Sequence, residues 1–82
     1  MQLNQVNFPT CYFHPRQNHI QWFSGSDQDG SLISFFLNTK VNEKAHFKKH
    51  VDQKSVDEDI EILRGEGWTK LNSKVTINEI KD

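Results

Sequence analysis

The sequence predicts an α+β domain: a small antiparallel β-sheet (a meander) with one α-helix packed on one face and a C-terminal strand or hairpin. Short aromatic and β-branched runs separated by turn residues indicate the sheet. One segment with helical periodicity indicates the helix. Because 82 residues suit one domain, we expect residues 1–82 to form a single unit, with residues 1–9 as a loosely ordered arm.

Three strands are predicted in the first half of the chain, at residues 10–14, 19–24 and 31–38. Residues 25–30 are glycine, serine, aspartate and glutamine, a composition typical of turns. The second and third strands should therefore form a hairpin.

Residues 40–54, and 43–53 in particular, are compatible with either a strand or a helix. Their composition favours a helix, whereas their alternation of apolar and polar residues favours a strand, which we prefer. A strand would place Ala45, Phe47 and Val51 on one side and His46, Lys48 and His50 on the other.

The helix is predicted over residues 56–64, and sequence signals mark both of its ends. Ser55 and Glu58 have the spacing of a capping box, and the carboxylates after Ser55 would face the positive end of the helix dipole. Arg64 would lie near the negative end, and Gly65 would supply the left-handed residue that ends the helix. Strands at residues 67–71 and 74–80 should follow, the latter with Val75 and Ile77 on one face.

Eight apolar residues are predicted to form the core. They are Val56, Ile60, Leu63, Trp68, Trp22, Ile20, Ile33 and Phe35. A single short helix can cover only one face of the sheet. Alternation along the strands nevertheless places large apolar side chains on both faces, and an uncovered apolar face marks an interaction site. We expect a partner to contact Phe23, Leu32 and Phe36 there; the alternative is that the N-terminal arm or the basic segment covers this face.

Charge is balanced overall but divided along the chain. The formal net charge is −1, which argues against a dedicated nucleic-acid binder. Lysines dominate residues 40–54, and carboxylates dominate the helix that follows. This division could orient a partner. The expected electrostatic contacts are Lys44, Lys48, Lys49, Asp57 and Asp59.

Metal or cofactor binding is not expected. Cys11 and His14, and likewise His46 and His50, have ligand-like spacings, but most of the predicted sheet separates the two pairs. The sequence assigns no role to these histidines or to His19. The run from Asp27 to Gly30 resembles part of a calcium loop, yet apolar residues stand where the later oxygen ligands should be, so we interpret it as a turn.

No sequence pattern indicates an enzyme, because no nucleophile is accompanied by a local base signature and no glycine-rich phosphate loop is present. We expect a non-enzymatic protein–protein interaction module, a small regulatory, inhibitory or accessory protein that binds another protein or itself. The alternative is single-stranded nucleic-acid binding through sheet aromatics such as Tyr12, Trp22 and Phe36 and the lysine-rich segment 40–54. Neither a signal-peptide pattern nor a membrane-spanning apolar run is evident, so a cytoplasmic location is expected.

Overall fold

The computed structural model describes residues 6–8, 10–27, 29–71 and 75–77, and it confirms the α+β architecture. The elements are β1 (Val6–Phe8), β2 (Thr10–Phe13), β3 (Ile20–Ser26), β4 (Leu32–Asn38), β5 (Glu43–His50), α1 (Gln53–Gly65), β6 (Thr69–Leu71) and β7 (Val75–Ile77). Five strands form one antiparallel sheet in the order β5-β4-β3-β2-β6, and β1 pairs with β7 in a separate ribbon. Strands β2 to β5 are consecutive neighbours, which is the predicted meander.

The turn between β3 and β4 forms because one aspartate organises its backbone. The carboxylate of Asp27 accepts hydrogen bonds from the backbone N–H groups of Asp29 and Ser31, each at 2.9 Å. Gly30 has a φ of +83°, a conformation that a glycine adopts without steric cost. Asp27 therefore serves the predicted hairpin turn.

Residues Glu43–His50 form a strand, so the ambiguity in this segment is settled in favour of β5. The expected alternation holds for His46, Lys48 and His50, which share one side of the sheet, but it is wrong for Ala45 and Phe47, because the register between β4 and β5 is irregular near His46, whose φ is +54°. Such a bulge adds one residue to a strand and changes which residues share a face. Ala45 pairs with Phe36, whereas Phe47 and Lys44 share a cation–π contact on the other side of the sheet.

Helix α1 begins earlier than predicted, and its N-cap is Asp52 rather than Ser55. The Asp52 carboxylate accepts the backbone N–H of Ser55 at 3.0 Å, which is the usual capping geometry. The first turn consequently contains no acidic residue. At the other end Arg64 lies in the last turn as expected, but Gly65 is still helical and Gly67 takes the left-handed conformation, with a φ of +89°.

Apolar side chains fill both faces of the sheet. The helix-side cluster comprises Tyr12, Trp22, Val56 and Leu63, with Leu32, Phe36, Ile60 and Trp68 packed against it. The far-side cluster comprises Phe8, Cys11, Phe23, Ile33, Phe35 and Leu37, with Leu71 packed against it. Of the eight predicted core residues, five are buried and three, Ile20, Ile60 and Trp68, are half-buried.

The far side of the sheet is covered by the chain itself. Phe8 in β1 is only 3% exposed, and its ring packs edge-on against Phe35 and Phe23 at centroid distances of 5.1 and 5.9 Å. Part of the predicted N-terminal arm thus forms a strand that packs against the sheet. This is the intramolecular cover that the sequence left as an alternative, and it buries the rings of Phe23 and Phe35.

The C-terminal prediction is resolved in part. β6 and β7 lie within the predicted strands 67–71 and 74–80, although the faces predicted for Val75 and Ile77 concern side chains outside the described set.

Within the described ranges no helix combines the length and apolar character needed to cross a bilayer.

Candidate functional site

The three residues predicted to contact a partner do not share one surface. Phe23 pairs with Phe35 and is 1% exposed in the far-side cluster. Leu32 and Phe36 lie on the helix side, where both are half-buried. Directly paired residues of an antiparallel sheet point to the same face, so the register alone separates Phe23 from Phe36. Phe23 is therefore a core residue.

An open groove, which we call the Phe36 groove, lies on the helix side of the sheet. It has two hollows, and both are lined by Phe36 and His46. The apolar residues of the first hollow are Ile20, Leu37, Val41, Ala45 and Trp68. Those of the second, which lies between β5 and α1, are Trp22, Ile62 and Leu63. α1 is too short to close the space above Phe36.

Two further rings position the side chain of Phe36. The indole of Trp68 lies 5.7 Å from the Phe36 ring, and the His46 imidazole meets it edge-on at 5.9 Å. His46 reaches this place because the β5 bulge turns its side chain toward the helix side. Trp68 is in turn held by the ring of His14 at 5.0 Å and by a hydrogen bond from its indole N–H to Glu66. The rings of Phe36, His46 and Trp68 therefore pack together at the floor of the groove.

Two exposed aliphatic side chains stand at the edges of the groove. Val41 is 52% exposed beside the first hollow, and Ile62 is 60% exposed beside the second. The other large apolar residues that are exposed in the described part of the chain, Phe47 and Val51, do not line either hollow. At this groove, exposed apolar side chains therefore stand beside the half-buried ring of Phe36.

The residues expected to make electrostatic contacts are distributed over both faces. Lys48 forms an ion pair with Asp59 at 3.1 Å, which ties β5 to α1 across the second hollow. Lys44 lies over the rings of Phe35 and Phe47 at 5.7 and 5.2 Å.

The remaining two lie away from the groove lining. Lys49 pairs with Ile33, a far-side residue, and Asp57 accepts a hydrogen bond from the Gln53 amide at 3.1 Å. Of the predicted charged set, only Lys48 and Asp59 therefore have side chains at the groove; Lys44 borders the first hollow, but its side chain lies over Phe35 and Phe47.

A buried polar network lies beside the second hollow, and the sequence did not indicate it. The His50 side chain is fully buried; its Nε2 lies 2.7 Å from the Ser34 hydroxyl and its Nδ1 lies 2.8 Å from the Ser55 hydroxyl. Burial lowers the pKa of His50, while nearby Asp59 raises it and Lys48 lowers it further. The signal in the sequence is weak: a serine inside an apolar strand and a histidine at a strand end.

This network does not have the geometry of a serine nucleophile. In a catalytic triad the carboxylate binds the imidazole nitrogen opposite the serine. Here Asp59 lies 4.0 Å from Nε2, the nitrogen that contacts Ser34, and a second hydroxyl occupies Nδ1. Ser34 is also only 2% exposed. The arrangement joins β4, β5 and α1 through His50.

Cys11 and His14, whose spacing suggested metal ligands, make other contacts in the fold. Cys11 is fully buried, and burial raises its pKa to about 11, which disfavours the thiolate that binds metals. The Nδ1 of His14 accepts the backbone N–H groups of Arg16 and Gln17 at 3.0 and 3.1 Å. Among the residues whose placement is described, no group of three or more His, Cys, Asp or Glu could hold a metal ion.

Two of the aromatics considered for base stacking are inaccessible. Tyr12 and Trp22 are 6% and 2% exposed, and their rings pack together at 6.1 Å in the helix-side cluster. Base stacking requires an open ring face. Only Phe36 of the three could offer part of one.

Comparisons of the chain with protein-family models, curated proteins and solved structures found no match.

Proposed function

We propose that this chain is a non-enzymatic protein-interaction module that binds through the Phe36 groove. One observation carries the proposal: Val41 and Ile62, both more than half exposed, each stand beside one of two hollows that share the half-buried Phe36. Burying such side chains at an interface stabilises the complex by about 25 cal/mol for each Å² of apolar area removed from water. A small regulatory, inhibitory or accessory role, exerted by docking, fits a chain with this surface.

The occupant that we propose for the groove is a second copy of the chain. The charged side chains at the groove are Glu43, Lys48 and Asp59, which include both signs, whereas the Lys44 side chain lies over Phe35 and Phe47. In a two-fold interface the same patch meets itself, so a patch that carries both signs can pair positive with negative across the axis. The net charge of −1 adds little long-range repulsion between copies. This surface has no large excess of one charge that would attract a strongly acidic or strongly basic partner.

Self-association also suits the size of the protein. With 82 residues the chain is only slightly above the length of about 70–80 residues below which a core rarely supplies more than ~3–5 kcal/mol, and oligomerisation is one common source of further stability. We extend the proposal to a cytoplasmic location, because the free thiol of Cys11 is typical of a reducing compartment.

Sedimentation velocity over a concentration series tests the proposal with a matched pair of variants. Ile62→Lys places a charge at the edge of the groove, whereas Val51→Lys places the same charge at a site that is 94% exposed and does not line the groove. We expect the wild type and Val51→Lys to dimerise with similar dissociation constants and Ile62→Lys to remain monomeric.

Circular dichroism should show that all three proteins are folded. A wild type that stays monomeric up to millimolar concentration overturns self-association and leaves a different protein as the occupant. Equal weakening by the two lysine substitutions would refute the groove as the interface.

A further inference from the structure

One imidazole connects the first turn of α1 to the centre of the sheet. His50 is the last residue of β5, Ser34 lies in the middle of β4, and Ser55 is the third residue of α1. The histidine bonds both hydroxyls at once, at 2.7 and 2.8 Å, with no exposed side-chain area. Ser55 additionally gives its backbone N–H to the N-cap Asp52. His50 is thus a buried titratable group that links the start of the helix to the sheet.

A neutral imidazole satisfies this arrangement in either tautomer. Neutral histidine offers one N–H donor and one acceptor nitrogen, and each serine hydroxyl can donate or accept. A protonated imidazole would donate from both nitrogens, and it would also place a full charge where no water reaches it. Burying a charge is costly unless an opposite charge compensates it.

The charged groups that face His50 provide little compensation. From α1, Asp59 approaches Nε2 at 4.0 Å, but the same carboxylate oxygen is already bound by Lys48 of β5 at 3.1 Å. β4 contributes the uncharged Ser34. Lys48 both neutralises Asp59 and repels a positive imidazole. The lowered pKa of His50 is in keeping with this balance.

We propose that His50 is a pH-sensitive latch, which in its neutral form holds the N-terminal turn of α1 against β4 and on protonation releases it. The sign follows from linkage: an opened state, with His50 near its ordinary pKa of 6.5, binds a proton more readily than the latched state. The latch is therefore closed at neutral pH and weakens as the pH falls through 6.5 toward the lower value of the closed state. The inference does not depend on what occupies the Phe36 groove.

Native-state amide exchange followed by NMR tests the latch. Protection factors, corrected for intrinsic exchange, would be compared at pH 7.5 and pH 5.0. Each tenfold difference in proton affinity between the two states raises the low-pH opening equilibrium by up to about tenfold. We expect the amides of the first two turns of α1 to lose protection at pH 5.0, while the β3–β4 ladder keeps its protection.

Two variants separate His50 from the other histidines. In His50→Gln, which cannot titrate, α1 protection should be low already at pH 7.5 and independent of pH. Ser55→Ala removes only the link to the helix and should likewise flatten the pH dependence, which keeps the test valid if His50→Gln fails to fold. His19→Gln, at an outlying half-buried histidine, should behave as wild type. Equal α1 protection at both pH values in the wild type would overturn the latch, as would an undiminished pH dependence in Ser55→Ala.

Discussion

Replacing Phe23 by alanine should strongly destabilise the fold, because the far side of the sheet is a second core rather than a binding face. The Phe23 ring is 1% exposed and packs against Phe35 at 5.6 Å and Phe8 at 5.9 Å. A buried ring removes ~150–250 Å² from water, which at about 25 cal/mol per Å² corresponds to roughly 4–6 kcal/mol. Since alanine retains part of this area, we expect a loss of about 3–5 kcal/mol, the usual range for such a truncation.

That loss is a large part of the total free energy of unfolding expected for a chain of this length. Stability of about 0.05–0.15 kcal/mol per residue gives the protein roughly 4–12 kcal/mol. Urea denaturation followed by circular dichroism measures the change. Phe23→Leu should show a smaller loss of about 1–2 kcal/mol, so that a transition remains measurable if Phe23→Ala does not fold.

Ile62→Ala serves as the control for Phe23. Its side chain is 60% exposed on α1, so under conditions where the protein is monomeric the free energy of unfolding should change by no more than about 0.5 kcal/mol. A Phe23→Ala protein with nearly wild-type stability and impaired association would refute the two-sided core. It would return Phe23 to the binding surface expected from the sequence.

Two further predictions concern the thiol and the helix start. The Cys11 thiol, buried and with its pKa raised to about 11, should react with Ellman's reagent at pH 8 at least an order of magnitude more slowly in the native protein than in urea; equal rates would contradict its burial. Asp52→Ala should lower the free energy of unfolding by about 1 kcal/mol, measured by thermal denaturation, because it removes the N-cap hydrogen bond to Ser55, whereas Glu58→Ala should change it by less than about 0.5 kcal/mol. A larger effect at Glu58 would favour the capping box that the sequence suggested.

The existence and type of most elements could be predicted because each depends on a local pattern. Alternation indicated β3 and β4, turn residues indicated the hairpin between them, and the spacing of Val56, Ile60 and Leu63 indicated α1. The helix start was misplaced because Asp52 and Ser55 are both good capping residues. Only the folded backbone shows that the Asp52 carboxylate is the group that accepts the N–H.

The candidate site could be predicted less well, since it depends on how strands align. Alternation shows which residues of one strand share a face, but a shift of one residue between strands exchanges the faces of the partner. The sequence grouped Phe23 with Phe36, and the observed register pairs Phe36 with Trp22 instead. The bulge at His46, which brings that ring to the groove, has no reliable signal in one sequence. The packing of Phe8 against Phe23 and Phe35 is likewise a long-range contact that local sequence patterns do not indicate.

The roles of the polar residues also emerged only from the fold. Ser34 interrupts an apolar run and would ordinarily be unremarked, yet it is the sheet's partner for His50. The lysines and carboxylates that suggested an oriented partner are partly used within the chain, as in the pair between Lys48 and Asp59. Charge patterning alone therefore did not show which charged side chains lie at the groove, because that depends on the folded geometry.

Isotope-filtered NOE spectroscopy on an equimolar mixture of ¹³C-labelled and unlabelled protein tests the central claim most directly, because it detects contacts between copies and identifies the atoms involved. The Phe36 groove predicts intermolecular NOEs at the methyl groups of Val41 and Ile62. Intermolecular NOEs confined to Val51 or Phe47, or none in a sample at millimolar concentration, would contradict the claim that this groove binds a second copy.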